Sequence, residues 1–173
     1  SILLGRSTEI TATPPALASR LIEDAGHAIL RTNGPAGLTA AMTFGPYGGF
    51  HGHFDKLSFV FYGFQEELGV DPGRARSQAY RLPIHNNWYK ATISHNTVIV
   101  DGKSQQPATG RLLHFEQNDA YAAVAASCDE AYPGVRHTRW LVMTDAYLLV
   151  LDELHCDVDR QFDWIYHNRG RKA

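Results

Sequence analysis

The chain has 173 residues, 44% of them hydrophobic, which suits one globular domain with a substantial core. A net charge of −2 argues against general nucleic-acid binding, and no apolar run reaches the roughly 18 residues of a membrane span. Two cysteines do not make a disulfide framework, and the first residues lack the charged start and apolar core of a signal peptide. Because the sequence begins with Ser1 rather than Met, we expect a processed or excised piece of a longer chain.

Short strands separated by turn residues dominate the predicted structure. Residues 1–25 are assigned to a linker segment, with a short helical turn over 16–22. Apolar alternation and turn signals then predict about ten strands, over 27–32, 37–44, 57–62, 65–70, 97–100, 111–117, 120–127, 137–144, 147–152 and 161–167. Residues 71–94 show little periodicity, which indicates a long ordered loop of the kind that is usually functional. So many strands with almost no helix predict an all-β domain over 26–173, an antiparallel two-layer β-sandwich.

A glycine-rich turn is followed by two histidines, His51 and His53, which an extended backbone would place on one side. Two further polar residues lie downstream, Asp71 before a Pro-Gly pair and His95 before an Asn-Thr pair. Two imidazoles and a carboxylate are ligand types suited to zinc, so His53, Asp71 and His95 form a candidate metal site. Spacing alone favours a simpler interpretation, in which the histidines are loop residues and Asp71 caps the following turn.

A basic stretch between Arg74 and Lys103 contains a single acid, Asp101. It is typical of a site for an anionic ligand, and the alternative is a solvated basic loop. Within it, Arg76 could clamp a carboxylate through two parallel hydrogen bonds, or form a surface salt bridge.

Several side chains near the histidines have the chemistry of proton transfer or sugar binding. An imidazole such as that of His51 works as acid or base near neutral pH, although it could instead pack on a neighbouring phenylalanine. Tyr80, Trp88 and Tyr89 could supply a phenol for proton transfer and a face for stacking on sugar, with core filling as the alternative. Lys56 is expected to be solvated.

Several blocks of this sequence resemble the heparinase II/III-like polysaccharide lyases, and the oligoalginate lyase branch in particular. The resemblance covers about residues 26–168, and its blocks are HGHFDKLSF at 51–59, VDPG at 70–73, KATISHNTV at 90–98, VDG at 100–102 and FDWIYH at 162–167. It implies a β-sandwich that follows an N-terminal α/α-toroid, with the substrate cleft between the two. This sequence resembles the β part only, so the toroid, which in the family supplies an Asn or His and a Tyr to the active site, is absent from it.

The resemblance also implies roles for individual residues. It implies a structural Zn²⁺ with His53, Asp71 and His95 as ligands, and it makes His51 a catalytic or substrate-contacting histidine. It places Arg76 near the substrate carboxylate.

One departure from the family pattern concerns the catalytic tyrosine. The family places it directly before a Leu-Pro pair, where this chain has Arg81. Tyr80, one residue earlier, is the expected equivalent, and Tyr89 is the reserve.

We therefore expect a bacterial polysaccharide lyase, or a fragment of one, that cleaves glycans containing uronic acid by β-elimination, with alginate oligosaccharides as the leading substrate. The expected partners are the anionic glycan and the missing toroid domain, without nucleic acid or membrane; a homodimer is left open. The expected location is periplasmic or secreted, and the fragment alone is expected to be inactive. Two alternatives remain: a non-catalytic carbohydrate-binding β-sandwich module, and a metal-dependent β-barrel oxygenase.

Overall fold

The computed structural model describes residues 18–75 and 81–170, so the predicted site residues Arg76 and Tyr80 lie outside the described ranges. Within those ranges the strands are β1 Arg20–Ile22, β2 His27–Arg31, β3 Thr39–Thr43, β4 Phe59–Gly63, β5 Glu66–Gly69, β6 Val98–Val100, β7 Arg111–Gln117, β8 Ala122–Tyr132, β9 Val135–Met143, β10 Leu148–Cys156 and β11 Phe162–Trp164. Short helical turns cover Gly49–His51, His85–Tyr89 and Thr92–Ser94. None of the helices in the described ranges is long and apolar enough to cross a membrane.

The strands form two main antiparallel sheets and a small ribbon. One sheet has the order β1-β2-β3-β4-β5, the other has the order β10-β9-β8-β7, and β11 pairs with β6. A single hydrophobic cluster joins the inner faces of the two main sheets, with Ala28 and Leu30 from β2 and Val124 and Ala126 from β8. The predicted antiparallel β-sandwich is confirmed.

Strand β1 lies in the described part of residues 16–22, where a helical turn was predicted; residues 16 and 17 lie outside the described ranges. Arg20–Ile22 pairs with β2, and Arg20 lies opposite Ile29. Three residues carry too little periodicity to reveal a strand, and the hydrogen bonds offered by the edge of β2 override a weak local preference. The sheet therefore reaches into the segment 1–25 that was assigned to a linker.

The expectation that Lys56 is solvated was wrong, because only 5% of this residue is exposed. Its ammonium donates to Asp55 Oδ1 at 3.2 Å, which offsets the cost of burying a charge. Its backbone N–H donates to Gln105 Oε1 at 2.8 Å, and its carbonyl accepts a bond from the Gln105 side-chain amide at 3.0 Å. Lys56 thus anchors the end of the histidine-bearing loop in the interior.

The loop that carries His51 and His53 begins at a close crossing of two glycines. Gly26 has a φ of +65°, and a Cβ built on it would lie 1.9 Å from the Gly45 Cα. The Gly26 carbonyl accepts hydrogen bonds from the N–H groups of Phe44 and Gly45. Only residues without a side chain permit this approach, which fixes where the loop leaves β3.

Candidate functional site

The loop of residues 45–57, called the histidine loop below, is tied to the segment that carries His95. The Phe54 N–H donates to the Lys90 carbonyl at 2.9 Å, and the Thr92 hydroxyl donates to the Phe54 carbonyl at 2.7 Å. These bonds hold two distant parts of the chain side by side. As a result the ring centroids of His53 and His95 are 5.3 Å apart.

Asp71 joins the same cluster through a hydrogen bond to His95. The Asp71 Oδ2 lies 2.6 Å from Nδ1 of His95, whose side chain is fully buried. The other Asp71 oxygen accepts the Gly73 N–H at 2.8 Å, so this residue also caps the turn, as the simpler interpretation predicted. The buried Nε2 of His95 has no hydrogen-bond partner in the described part of the chain.

The electrostatics of the cluster favour a neutral His53 and an ionised Asp71. Burial lowers the pKa of His53, and the nearby imidazole of His95 lowers it further against the opposing effect of two carboxylates. Burial acts to raise the pKa of Asp71, but hydrogen bonding to His95 and Gly73 outweighs burial and brings that pKa below its usual value. An ionised carboxylate only accepts hydrogen bonds, so the bond between Asp71 and His95 places a proton on His95 Nδ1.

The three predicted metal ligands are therefore neighbours, but they are not arranged around one point. Among the described residues, no group of three His, Cys, Asp or Glu side chains is placed to hold a metal ion. The donor set nevertheless fits zinc: two imidazoles and an ionised carboxylate are its usual ligands, and the unpartnered Nε2 of His95 lies buried beside His53.

An open cleft of about 630 Å³ lies against the histidine loop, and its described lining residues are Phe50, His51, His53, Arg74, Ala75 and His85. His51 is exposed there and also packs edge-on against the Phe50 ring at 5.1 Å, so the two interpretations of this residue are compatible. Arg74 and His85 both lie within the basic stretch between Arg74 and Lys103, to whose members sequence reasoning gave no role except at Arg76, Tyr80, Trp88, Tyr89 and His95. The stretch itself was the signal that could have identified them.

Trp88 and Tyr89 are not among the described residues that line this cleft. Both belong to the helical turn His85–Tyr89, where Trp88 is 40% exposed and Tyr89 is half-buried. The Trp88 ring meets His167 edge-on at 5.7 Å. Their predicted contact with substrate stays a prediction, as do the roles of Arg76 and Tyr80 outside the described ranges.

Lys90 is a further residue of this site, which sequence reasoning placed in the basic stretch without an individual role. Its ammonium lies 3.3 Å from the Tyr47 hydroxyl and 3.2 Å from the Phe50 carbonyl. It also lies 5.8 Å from the ring centroids of Tyr47 and Phe54, which stack on each other at 5.5 Å. A cation over two stacked rings fixes the histidine loop in place.

Comparison with known proteins identifies relatives of this chain. The family described as "Heparinase II/III-like, C-terminal" matches residues 14–171. An alginate lyase of Stenotrophomonas maltophilia (strain K279a) is 35% identical over 170 residues, covering 84% of this chain and 22% of that protein. An exo-oligoalginate lyase of Saccharophagus degradans (strain 2-40) is 30% identical over 129 residues, covering 64% of this chain and 18% of that protein.

Solved structures share the fold. A heparinase III, the BT4657 gene product, matches with a TM-score of 0.80 at 19% identity. The match covers 91% of this chain and 25% of the heparinase III chain. The heparan sulfate lyase HepC of Pedobacter heparinus matches with a TM-score of 0.73 at 19% identity. The match covers 84% of this chain and 23% of the HepC chain. The chain spans about a quarter or less of the length of these relatives. The predicted resemblance, including that to the oligoalginate lyases, is confirmed.

Proposed function

This chain belongs to the Heparinase II/III-like, C-terminal family, and from that premise we propose that it forms part of a polysaccharide lyase. The proposed reaction is β-elimination in glycans that contain uronic acid, and the proposed substrates are alginate oligosaccharides. The names of the two sequence relatives, an alginate lyase and an exo-oligoalginate lyase, support that substrate class. The observation that carries the reaction is the cleft wall, where an exposed His51 lies beside the partly buried His53 and the cationic Arg74.

Elimination from a uronate first requires a cation at the substrate carboxylate. The proton on C5 is weakly acidic while that carboxylate is ionised, and a positive charge stabilises the enolate-like transition state. Arg74 is the arginine on the described wall of the cleft. Arg76, two residues further along the chain, is proposed to clamp the carboxylate through its planar fork.

Elimination also requires a base that takes the C5 proton and an acid that protonates the leaving O4. His51 is proposed for one of these transfers, because an imidazole exchanges protons near neutral pH and this one is open to the cleft. Tyr80 is proposed for the other, with Tyr89 as the reserve. A phenol needs cationic neighbours to act as a base at neutral pH, and the basic stretch is the proposed source of those charges.

We further propose a structural Zn²⁺ held by His53, Asp71 and His95. The ionised Asp71, the neutral His53 and the unpartnered Nε2 of His95 support this ligand set. When bound, the ion would tie three loop segments together and fix both rings. In the protein's own chemistry, Asp71 already orients the His95 ring by its hydrogen bond.

The proposed partner is an anionic polysaccharide or oligosaccharide, and the proposed location is the periplasm or the exterior of the cell, where such polymers occur. The proposed site has one wall in this chain. The opposing wall would come from residues outside 1–173, because the chain spans only 22% of its alginate lyase relative.

The test uses the protein encoded by the full reading frame that contains this chain. It is mixed with alginate, heparan and hyaluronan oligosaccharides, and the unsaturated uronate produced by elimination is followed by its ultraviolet absorbance. We expect product from alginate and its loss in His51→Ala, whereas His114→Ala, on the four-stranded sheet, is the matched control. The absence of unsaturated product from all three glycans would contradict the proposal.

One observation favours a second function, a non-catalytic carbohydrate-binding module. Trp88 is 40% exposed outside the described cleft wall, and an exposed indole can stack on a sugar ring. Binding of alginate oligosaccharides without unsaturated product, abolished by Trp88→Ala, would support this function over the lyase.

A further inference from the structure

Arg139 is fully buried in the middle of β9 and contacts three separate parts of the chain. Its Nε and Nη2 donate to the two oxygens of Asp152, its neighbour on β10, at 2.7 and 2.9 Å. Its Nη1 donates to the carbonyls of Leu57 and Asn96, each at 2.7 Å. The ion pair uses only one edge of the guanidinium, so the remaining edge serves the two carbonyls.

Both carbonyls belong to segments that carry histidines of the candidate site. Leu57 ends the histidine loop, four residues after His53, and Asn96 directly follows His95. Leu57 has a φ of +60°, a left-handed conformation that is unfavourable for a residue with a branched side chain. A hydrogen bond from a buried cation to its carbonyl helps to hold this strained residue, and with it the end of the loop.

Asn96 extends the same arrangement to the third site residue. Its side-chain amide donates to the carbonyls of Phe59 and Val70 at 2.8 and 3.0 Å, and Val70 directly precedes Asp71. Its Oδ1 accepts the His167 N–H at 2.6 Å. This residue is fully buried, so these bonds have no competition from water.

Asp152 in turn fixes the orientation of Arg139. Besides the guanidinium, its carboxylate accepts bonds from His137 Nε2 at 2.7 Å and from Trp164 Nε1 at 2.9 Å. The orientation of the Arg139 side chain is therefore fixed, and this side chain extends from the four-stranded sheet to the loop segments that precede β4 and β6.

We propose that Arg139 and Asn96 are positioning residues that set the spacing of His53, Asp71 and His95. Neither needs to touch a ligand, because each acts through the backbone next to a site residue. The effect of these two residues on Zn²⁺ binding rests on the proposed function, whereas their effect on the spacing of the three side chains does not. The hydrogen bond between Asp71 and His95 exists without a metal and can be followed on its own.

The first two variants separate positioning from general stability. Arg139→Met combined with Asp152→Leu replaces the ion pair with apolar side chains, a change that folded proteins often tolerate, and removes both carbonyl anchors. Asn96→Asp keeps the size of the side chain and removes the two donated bonds. The matched control is Leu141→Ala, which lies two residues along the same strand, is fully buried, and weakens the core without reaching the site.

The metal-free measurement is nuclear magnetic resonance of the chain labelled with ¹⁵N at histidine. In the parent we expect a His95 Nδ1–H resonance protected from exchange with water by burial and by Asp71. We expect this resonance to be lost or broadened in Arg139→Met/Asp152→Leu and in Asn96→Asp, and retained in Leu141→Ala. Retention in both site variants, or equal loss in Leu141→Ala, would overturn the proposal.

The second measurement is Zn²⁺ affinity by competition with a chelator. Loss of residues that orient metal ligands typically weakens binding by about 10–100-fold, which we expect for both site variants, while Leu141→Ala should stay near the parent. If the parent binds no Zn²⁺ but the resonance responds as expected, the zinc part of the proposed function fails and the positioning role stands. If Zn²⁺ affinity is unchanged in both site variants, the positioning role fails.

Discussion

Replacing Asp152 by asparagine should destabilise the fold strongly. The carboxylate accepts two bonds from Arg139 and one each from His137 and Trp164. Because Arg139 is fully buried, its charge cannot turn to water once the negative partner is gone. Removing one partner of a buried ion pair costs about 3–5 kcal/mol, and we expect Asp152→Asn to fall in that range.

The same carboxylate gives the prediction a pH dependence. Burial acts to raise the pKa of Asp152, but hydrogen bonds from His137 and Arg139 and the charge of Arg139 hold that pKa well below its usual range. The folded value thus lies below the unfolded value of about 3.9, so the stabilisation is complete above that pH. It is lost as the pH falls toward the folded value, and the gap between parent and Asp152→Asn should narrow below about pH 4.

Urea unfolding at neutral and acidic pH measures both effects. With a slope of about 2 kcal/mol per molar urea, the predicted loss lowers the midpoint at neutral pH by about 1.5–2.5 M. Asp159→Asn, at an exposed position between β10 and β11, is the control and should change stability by no more than about 0.5 kcal/mol. A shift no larger than that of the control, or a gap that is independent of pH, would refute the reasoning.

Further predictions concern the site and one turn. Elemental analysis should find one zinc per chain, and His53→Ala should remove it; metal retained by that variant would exclude the proposed ligand set. In the full-length protein, Arg74→Ala should lower kcat/KM on alginate oligosaccharides, with a loss of about 2–4 kcal/mol of transition-state stabilisation. Unchanged activity would show that Arg74 does not stabilise the transition state. Residues 1–173 alone should show little turnover, since proton transfer depends on both cleft walls; activity matching the full-length protein would refute this. Phe64→Asn with Gln65→Gly should stabilise the β4–β5 turn, where both residues have positive φ, by about 0.5–1 kcal/mol, and a lower urea midpoint would contradict it.

Local patterns predicted the long hairpins well. The apolar runs on either side of the Thr144–Tyr147 turn become β9 and β10, which pair without a register break. The predicted strands over 27–32 and 37–44 likewise become β2 and β3, which pair with each other. In both cases the strand pattern and the turn residues lie within one short stretch, so the sequence contains all the information that the element needs.

Features that depend on distant partners could not be predicted in this way. β9 directs His137 and Arg139 inward and Trp140 toward the outer face, which is opposite to what hydrophobicity alone suggests. The reason is Asp152 on the next strand, together with the carbonyl of Asn96. The sequence of β9 itself does not predict these hydrogen bonds.

In the candidate site too, some features could be predicted from the sequence and others depend on distant parts of the chain. Residue types made His53, Asp71 and His95 candidates, and the family resemblance gave them a shared role. The fold brings these three residues together. The cleft-lining role of Arg74 depends on where the chain turns after Asp71, which no local pattern encodes. Burial of Lys56 depends likewise on Gln105, far along the chain.

The most direct test of the lyase assignment follows the atoms of water. The full-length protein is incubated with alginate oligosaccharides in water enriched in ¹⁸O, and the products are analysed by mass spectrometry. Elimination breaks the glycosidic bond without adding water, so we predict product pairs whose masses sum to that of the substrate, with one unsaturated member and no ¹⁸O gained in the cleavage step. Products that together gain one water carrying ¹⁸O would show hydrolysis and would contradict the account.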